Sequence, residues 1–190
     1  MFIQTESTPN PQTLKFLPGR SVAGATSHDF AEPEAAVISP LAQALFDVTG
    51  IRRVYFGSDF ITVTKLDAVD WAHIKPAILA AIMDHFTSGQ PLVDESAAAR
   101  ASADIDVYEG DAAEIVEQIR ELIDTRVRPA VAQDGGDITF HSWVHDEGLV
   151  RLHMKGACAG CPSSTLTLKQ GIENMLKHYV PEVRTVEQVI

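Results

Sequence analysis

Cysteine is nearly missing from this chain of 190 residues: there are two, Cys158 and Cys161, and both lie in one C-x-x-C. Two thiols cannot build the disulfide framework of a small secreted domain. Within one chain they also fall short of the four ligands of a structural zinc and the four thiolates of a cubane iron–sulfur cluster. Basic residues are scarce as well, with 15 Lys and Arg against 26 Asp and Glu, a net charge of -11. So acidic a chain repels phosphate backbones, and no basic stripe with interleaved aromatics is present, which excludes nucleic acid as a partner. No apolar run approaches the roughly 20 residues that cross a bilayer, which excludes a helical membrane span. The opening MFIQTESTPNPQTLKFLPG has neither the basic-then-apolar layout of a signal peptide nor the Arg-rich, acid-poor character of a transit peptide. The expected compartment is reducing: a bacterial cytoplasm, or a mitochondrial matrix if an import sequence has been removed.

What is present is ample apolar material, 45% of residues, arranged in two stretches. The expected fold class is α+β, two small mixed α/β domains over 1–89 and 111–190, joined by a flexible acidic linker over 90–110. In the linker, QPLVDESAAARASADIDVYEGD, the acids Asp94, Glu95, Asp104, Asp106, Glu109 and Asp111 are opposed only by Arg100, and no apolar face is sustained. Ahead of it, Phe2–Glu6 and Thr13–Leu17 read as strands around a Thr8-Pro9-Asn10-Pro11 turn. Ser39-Pro40 reads as a helix cap and first turn, and Ile51–Phe56 with Phe60–Lys65 as a hairpin. Trp71, Ile74, Ile78, Ile82 and Phe86 keep a helical spacing, and Pro76 within it predicts either a kink or a start near Lys75.

Behind the linker, Asp111 and Glu114 have capping-box spacing, and Ile115, Ile119, Leu122, Ile123 and Val127 form a buried stripe that ends near Pro129. Asp134-Gly135-Gly136-Asp137 reads as a turn into a strand over Ile138–Val144. The strand Leu149–Lys155 leads into the cysteines, and Leu168, Ile172, Met175, Leu176 and Tyr179 mark a final helix. An edge strand is expected over Val183–Ile190. The C-terminal order is therefore helix, strand, strand, C-x-x-C loop, helix and strand.

The stretch GACAGCPSS places the thiols between a strand end and a helix start, with Pro162 suited to a first helical position. Free amides at a helix N-terminus carry partial positive charge and favour a thiolate. Gly156 and Gly160 permit close approach or positive φ. Spacing alone leaves dithiol redox chemistry and metal or cluster binding open, with a zinc-linked dimer as a third reading. Against redox stand the residues between the cysteines, Ala159 and Gly160, and the lack of a clear βαβ context. His153 and His178 read as lone surface residues, and Trp71 and Trp143 as core or interface residues rather than cofactor contacts. Two copies of the loop at a two-fold axis would supply four thiolates for one cubane.

The motifs QDGGDI, MKGACAGCPSS and GIENML resemble the NifU-like C-terminal domain. FIQTESTPNPQTLKF-PG, SPLA, F-V-GI--V-FG and FITVTK resemble the N-terminal domain of Nfu-type proteins. The resemblance implies a non-catalytic carrier of a [4Fe-4S] cluster that bridges a homodimer, with Cys158 and Cys161 as ligands. It further implies upstream cluster donors and apo iron–sulfur client proteins as partners. No U-type scaffold domain is recognisable, which favours a carrier over primary assembly.

Overall fold

The computed structural model describes residues 2–24, 26–94, 108–159 and 164–189. The chain divides into two compact units, Met1–Ala103 and Asp104–Ile190. Both are mixed α/β.

The first unit is an antiparallel sheet with strand order β1-β2-β5-β4-β3. Its strands are β1 (Gln4–Ser7), β2 (Thr13–Leu17), β3 (His28–Phe30), β4 (Ile51–Phe56) and β5 (Ile61–Lys65), and its helices are α1 (Pro40–Phe46) and α2 (Trp71–Ser88). Strand residues Phe16, Val54, Phe56, Ile61 and Val63 meet Leu41, Leu45, Ile74, Ile78 and Ile82 of the helices in one core. The i, i+4 row on α2 explains why that helix lies flat on the sheet. Ser39 caps α1 as expected, its Oγ accepting from the Ala42 N–H at 3.2 Å. Asp70 caps α2 by accepting from the Ala72 N–H at 2.9 Å, so the helix starts at Trp71 and continues through Pro76. The three-residue β3 was not anticipated, and the Arg53–Asp29 ion pair ties it to β4.

The second unit contains α3 (Asp111–Leu122), a π-helical turn (Ile123–Val127), α4 (Arg128–Gln133), β6 (Gly136–Val144), β7 (Leu149–Gly156), α5 (Ser164–Tyr179) and β8 (Thr185–Val189). Its sheet order is β6-β7-β8, with β6 antiparallel and β8 parallel to β7. On β7, Val150, Leu152 and Met154 join the core formed with Ile119, Ile123, Ile172 and Leu176. Alternation sends Arg151, His153 and Lys155 to the opposite face.

Several expectations change. The helix does not end near Pro129: Arg128 N–H bonds back five residues to Ile123 O, and the chain stays helical to Gln133. The widened turn accommodates a proline that lacks an N–H and whose ring would crowd the carbonyl of Thr125. Asp111 is not the cap of α3. Gly110 occupies that position with no side-chain bond, and Asp111 and Glu114 instead place negative charge in the first turn, where the helix dipole favours it. The linker reading falls mainly on residues 95–107, outside the described residues. Its described ends are packed: Val93 is in the first core, Asp94 N–H donates to Ile38 O, and Tyr108 accepts from Trp143 N–H at 2.8 Å.

Glu173 on α5 joins helix to sheet. Its carboxylate accepts from Val186 N–H of β8 at 3.0 Å and from Lys177 at 2.6 Å. It thereby occupies a backbone donor on an edge strand, a position that otherwise invites pairing with another chain. The Lys177 bond first, and the Val186 N–H second, hold its pKa below the ordinary glutamate value. A carboxylate with a lowered folded pKa adds stability that is present above its unfolded value and is lost as pH falls through the folded one. We expect Glu173→Ala to cost about 1 kcal/mol at neutral pH. Urea unfolding at a series of pH values should show that difference shrinking as the carboxylate protonates, and a pH-independent difference would contradict it.

Candidate functional site

The cysteine turn begins where β7 ends. Gly136 and Gly156 face each other as the last register pair of β6 and β7. Gly156 has φ 59, a left-handed backbone that glycine adopts without the cost of a Cβ, and it turns the chain off the strand. Three amides then fold the turn back: Ala157 N–H donates to Gly135 O at 3.1 Å, Cys158 N–H to Lys155 O at 3.3 Å, and Ala159 N–H to Gly156 O at 3.1 Å. The described amides of the loop are therefore committed to carbonyl oxygens. Cys161, with Gly160 and Pro162, lies outside the described residues, and so does the expected helix cap there.

Cys158 is buried, 6% exposed, and belongs to the second core. A Cβ on Gly136 would collide with Cys158 Sγ and stand 3.0 Å from its amide nitrogen. Gly136 thus does more than permit the turn into β6, as the sequence reading had it. It leaves the space that the sulfur fills. Positive φ belongs to its neighbour Gly135, at 80°.

The next residue, Asp137, is buried and held by Arg128, whose Nε and Nη2 donate to Oδ1 and Oδ2 at 2.8 and 3.1 Å. Oδ1 also accepts from Ile138 N–H at 2.9 Å. Arg128 donates to Asp124 as well, at 3.2 Å, one helical turn back. The bonds to Asp137, opposed by burial, push the guanidinium pKa further above its ordinary value, so the guanidinium stays charged. Neither Arg128 nor Asp137 was singled out as a site residue, because a cross-element fork between positions nine apart leaves no periodic signal.

His153 is not a lone residue: its ring stacks on His141 of β6, with centroids 4.5 Å apart. Trp143 is buried in the second core and Trp71 packs against the first, as expected. Among the described residues no group of three or more His, Cys, Asp or Glu is placed to hold a metal, and no helix is long and apolar enough to cross a membrane. A further correction concerns context. Because β8 runs parallel to β7, the sequence β7, cysteine turn, α5, β8 is a βαβ crossover. The C-terminal unit therefore has the βαβ context whose apparent lack stood against dithiol chemistry.

The first cysteine of the C-x-x-C thus sits in a turn at the end of β7, within the second of two mixed α/β units. Residues 3–89 match the family described as scaffold protein Nfu/NifU N terminal, and residues 119–187 match the NifU-like domain. The chain is 54% identical over 190 residues to the Drosophila willistoni protein named NFU1 iron-sulfur cluster scaffold homolog, mitochondrial, covering 100% of this chain and 64% of that one. It is 53% identical over 188 residues to NifU-like protein 5, mitochondrial, of Arabidopsis thaliana, covering 99% of this chain and 68% of that one. A solution structure of a NifU-like protein from Saccharomyces cerevisiae is 28% identical, with a TM-score of 0.46, over 50% of this chain and 86% of that one. The chain belongs to the Nfu family. It spans about two thirds of the length of the curated relatives it matches, 64% and 68% for those two. Both relatives carry mitochondrial names, and the bacterial cytoplasm expected above finds no support among them.

The space at Gly136 makes a direct prediction. Gly136→Ala should destabilise the second unit by about 1–3 kcal/mol, the range for overpacking. The control is Gly171→Ala, at an exposed site on α5 where an added Cβ meets nothing within 4 Å. Loss of a helical glycine there should stabilise by roughly 0.5–1 kcal/mol. Urea midpoints of the two variants should move in opposite directions, and equal shifts would show that crowding at Cys158 is not the cause.

Proposed function

We propose that this chain is a non-catalytic carrier that takes a [4Fe-4S] cluster as cargo between Cys158 and Cys161 of two subunits and passes it to apo iron–sulfur proteins. The observation that carries this reading is a ligand count: the only two cysteines of the chain share one C-x-x-C, which is half of a four-thiolate shell. The cradle fits the assignment. Cys158 sits at a strand end in a space kept open by glycine, and thiolate is the donor that iron–sulfur chemistry requires. The names of the relatives support an iron–sulfur role, and family membership covers both units. When bound, the cluster supplies the iron and sulfide that a client needs. The chain's own residues hold it, and the turn anchored on β6 and β7 presents it.

Completing the shell requires a second copy, so the proposed loaded form is a homodimer whose separation opens the site. Upstream donors and apo clients are the proposed partners, and a reducing compartment, with the mitochondrial matrix favoured by the relatives' names, keeps the thiols available. The first unit is proposed to recognise those partners. The βαβ placement of the turn favours a second reading, a dithiol oxidoreductase in which one thiol attacks a disulfide and the other resolves it.

Metal analysis of protein purified without oxygen separates these. The carrier reading expects iron and sulfide, about four irons per dimer after anaerobic reconstitution, and loss of both in Cys158→Ser or Cys161→Ser. A metal-free monomer that reduces disulfides would establish the dithiol reading instead. Zinc in place of iron in protein never exposed to air would point to an interaction module. Retention of a full cluster by the double serine variant would remove both cysteines from the ligand set.

A further inference from the structure

The contacts around Cys158 form a short chain that starts outside the cysteine turn. Arg128 leaves the π-helical turn and grips both carboxylate oxygens of Asp137, at 2.8 and 3.1 Å. The Asp137 side chain is 6% exposed, while that of Arg128 is 34% exposed. Asp137 directly follows Gly136, and Gly136 is the wall against which Cys158 Sγ rests. Strand β6 is an edge strand, so nothing in the sheet restrains its outer side. The Arg128 fork supplies that restraint, and the Ile138 N–H bond to Asp137 Oδ1 sets the carboxylate relative to the backbone.

We propose that Arg128, acting through Asp137, is a positioning residue that clamps the start of β6 against Cys158 and keeps that sulfur in its buried place. The proposal rests on the reading of the cysteine turn as a thiolate donor set, and it assigns to Arg128 no contact with the cargo. A bidentate guanidinium fixes both distance and angle, which a lysine ammonium cannot do. The clamp therefore acts on local opening of the turn, distinct from unfolding of the unit.

The test uses the full-length apo chain carrying Cys161→Ser, so that Cys158 is the only thiol. The rate of its reaction with 5,5′-dithiobis(2-nitrobenzoate) is measured over a range of urea concentrations below the unfolding transition. Arg128→Gln and Asp137→Asn should each raise that rate by about tenfold or more, the factor expected for losing a charge-assisted hydrogen bond. The acceleration should depend weakly on urea, because a local opening exposes little surface. Arg128→Lys should give a smaller acceleration, and it carries the test alone if Arg128→Gln does not fold.

Unchanged rates would overturn the proposal. So would acceleration with the full urea dependence of global unfolding, the result for a residue that only adds stability. Iron loading of the parent chain is read separately. Its failure would remove the carrier reading and leave the clamp standing, whereas unchanged thiol rates would remove the clamp and leave the carrier reading standing.

Discussion

Where β6 starts and β7 ends, the sulfur of Cys158 rests against the α-carbon of Gly136 in the space a side chain would fill. The second unit is organised around keeping that space. Three glycines serve it for three different physical reasons. Gly135 takes φ 80 to bring the chain out of α4, and Gly156 takes φ 59 to turn it off β7. Gly136, in an extended strand, is required by volume alone. The Ala157 N–H bond to Gly135 O then closes the turn onto the start of β6, so that turn and strand move together.

The helix ahead of this strand is shaped to hold it. A proline at position 129 would be expected to end a helix, yet the π-helical turn before it lets the chain continue to Gln133. Thr125 Oγ1 donates back to Glu121 O at 2.6 Å, which occupies one carbonyl at the margin of the widened turn. Arg128, the first residue past it, emerges within reach of both Asp124 and Asp137. Removing Arg128 would strand the buried Asp137 carboxylate where water reaches poorly, and that penalty exceeds what the intact pair contributes. The pair is thus better understood as fixing one arrangement than as adding much net stability.

How much of this was readable from sequence depends on the range of the interaction. The Ile74, Ile78 and Ile82 row of α2 and the Val150, Leu152 and Met154 alternation of β7 are local periodicities, and both elements formed as expected. The glycine pair at the start of β6 was legible as a turn but not as a cradle, because Gly136 and Cys158 meet only after the hairpin forms. The parallel pairing of β8 was equally hidden, since a terminal strand pattern does not reveal its direction. The three residues of β3 are too few to show any period. Of the two cysteines, both candidates from the C-x-x-C, the described structure shows the surroundings of Cys158.

Those surroundings bear on what a two-thiol site can do. A permanent cofactor is best held by a shell that one chain completes, because its retention then does not depend on protein concentration. Under the proposed reading each chain contributes two donors, so retention depends on association of two copies, and whatever weakens that association also frees the cargo. Such a site needs little internal motion to release its cluster, and rigidity within each half is an advantage. A donor held in place before the second copy arrives loses less conformational freedom on binding than one that must be ordered at that moment. The buried sulfur, the glycine cradle and the clamped edge of β6 all supply that order within a single chain. Under that proposed reading, division of the ligand set between chains, rather than looseness of the turn, makes release compatible with tight seating.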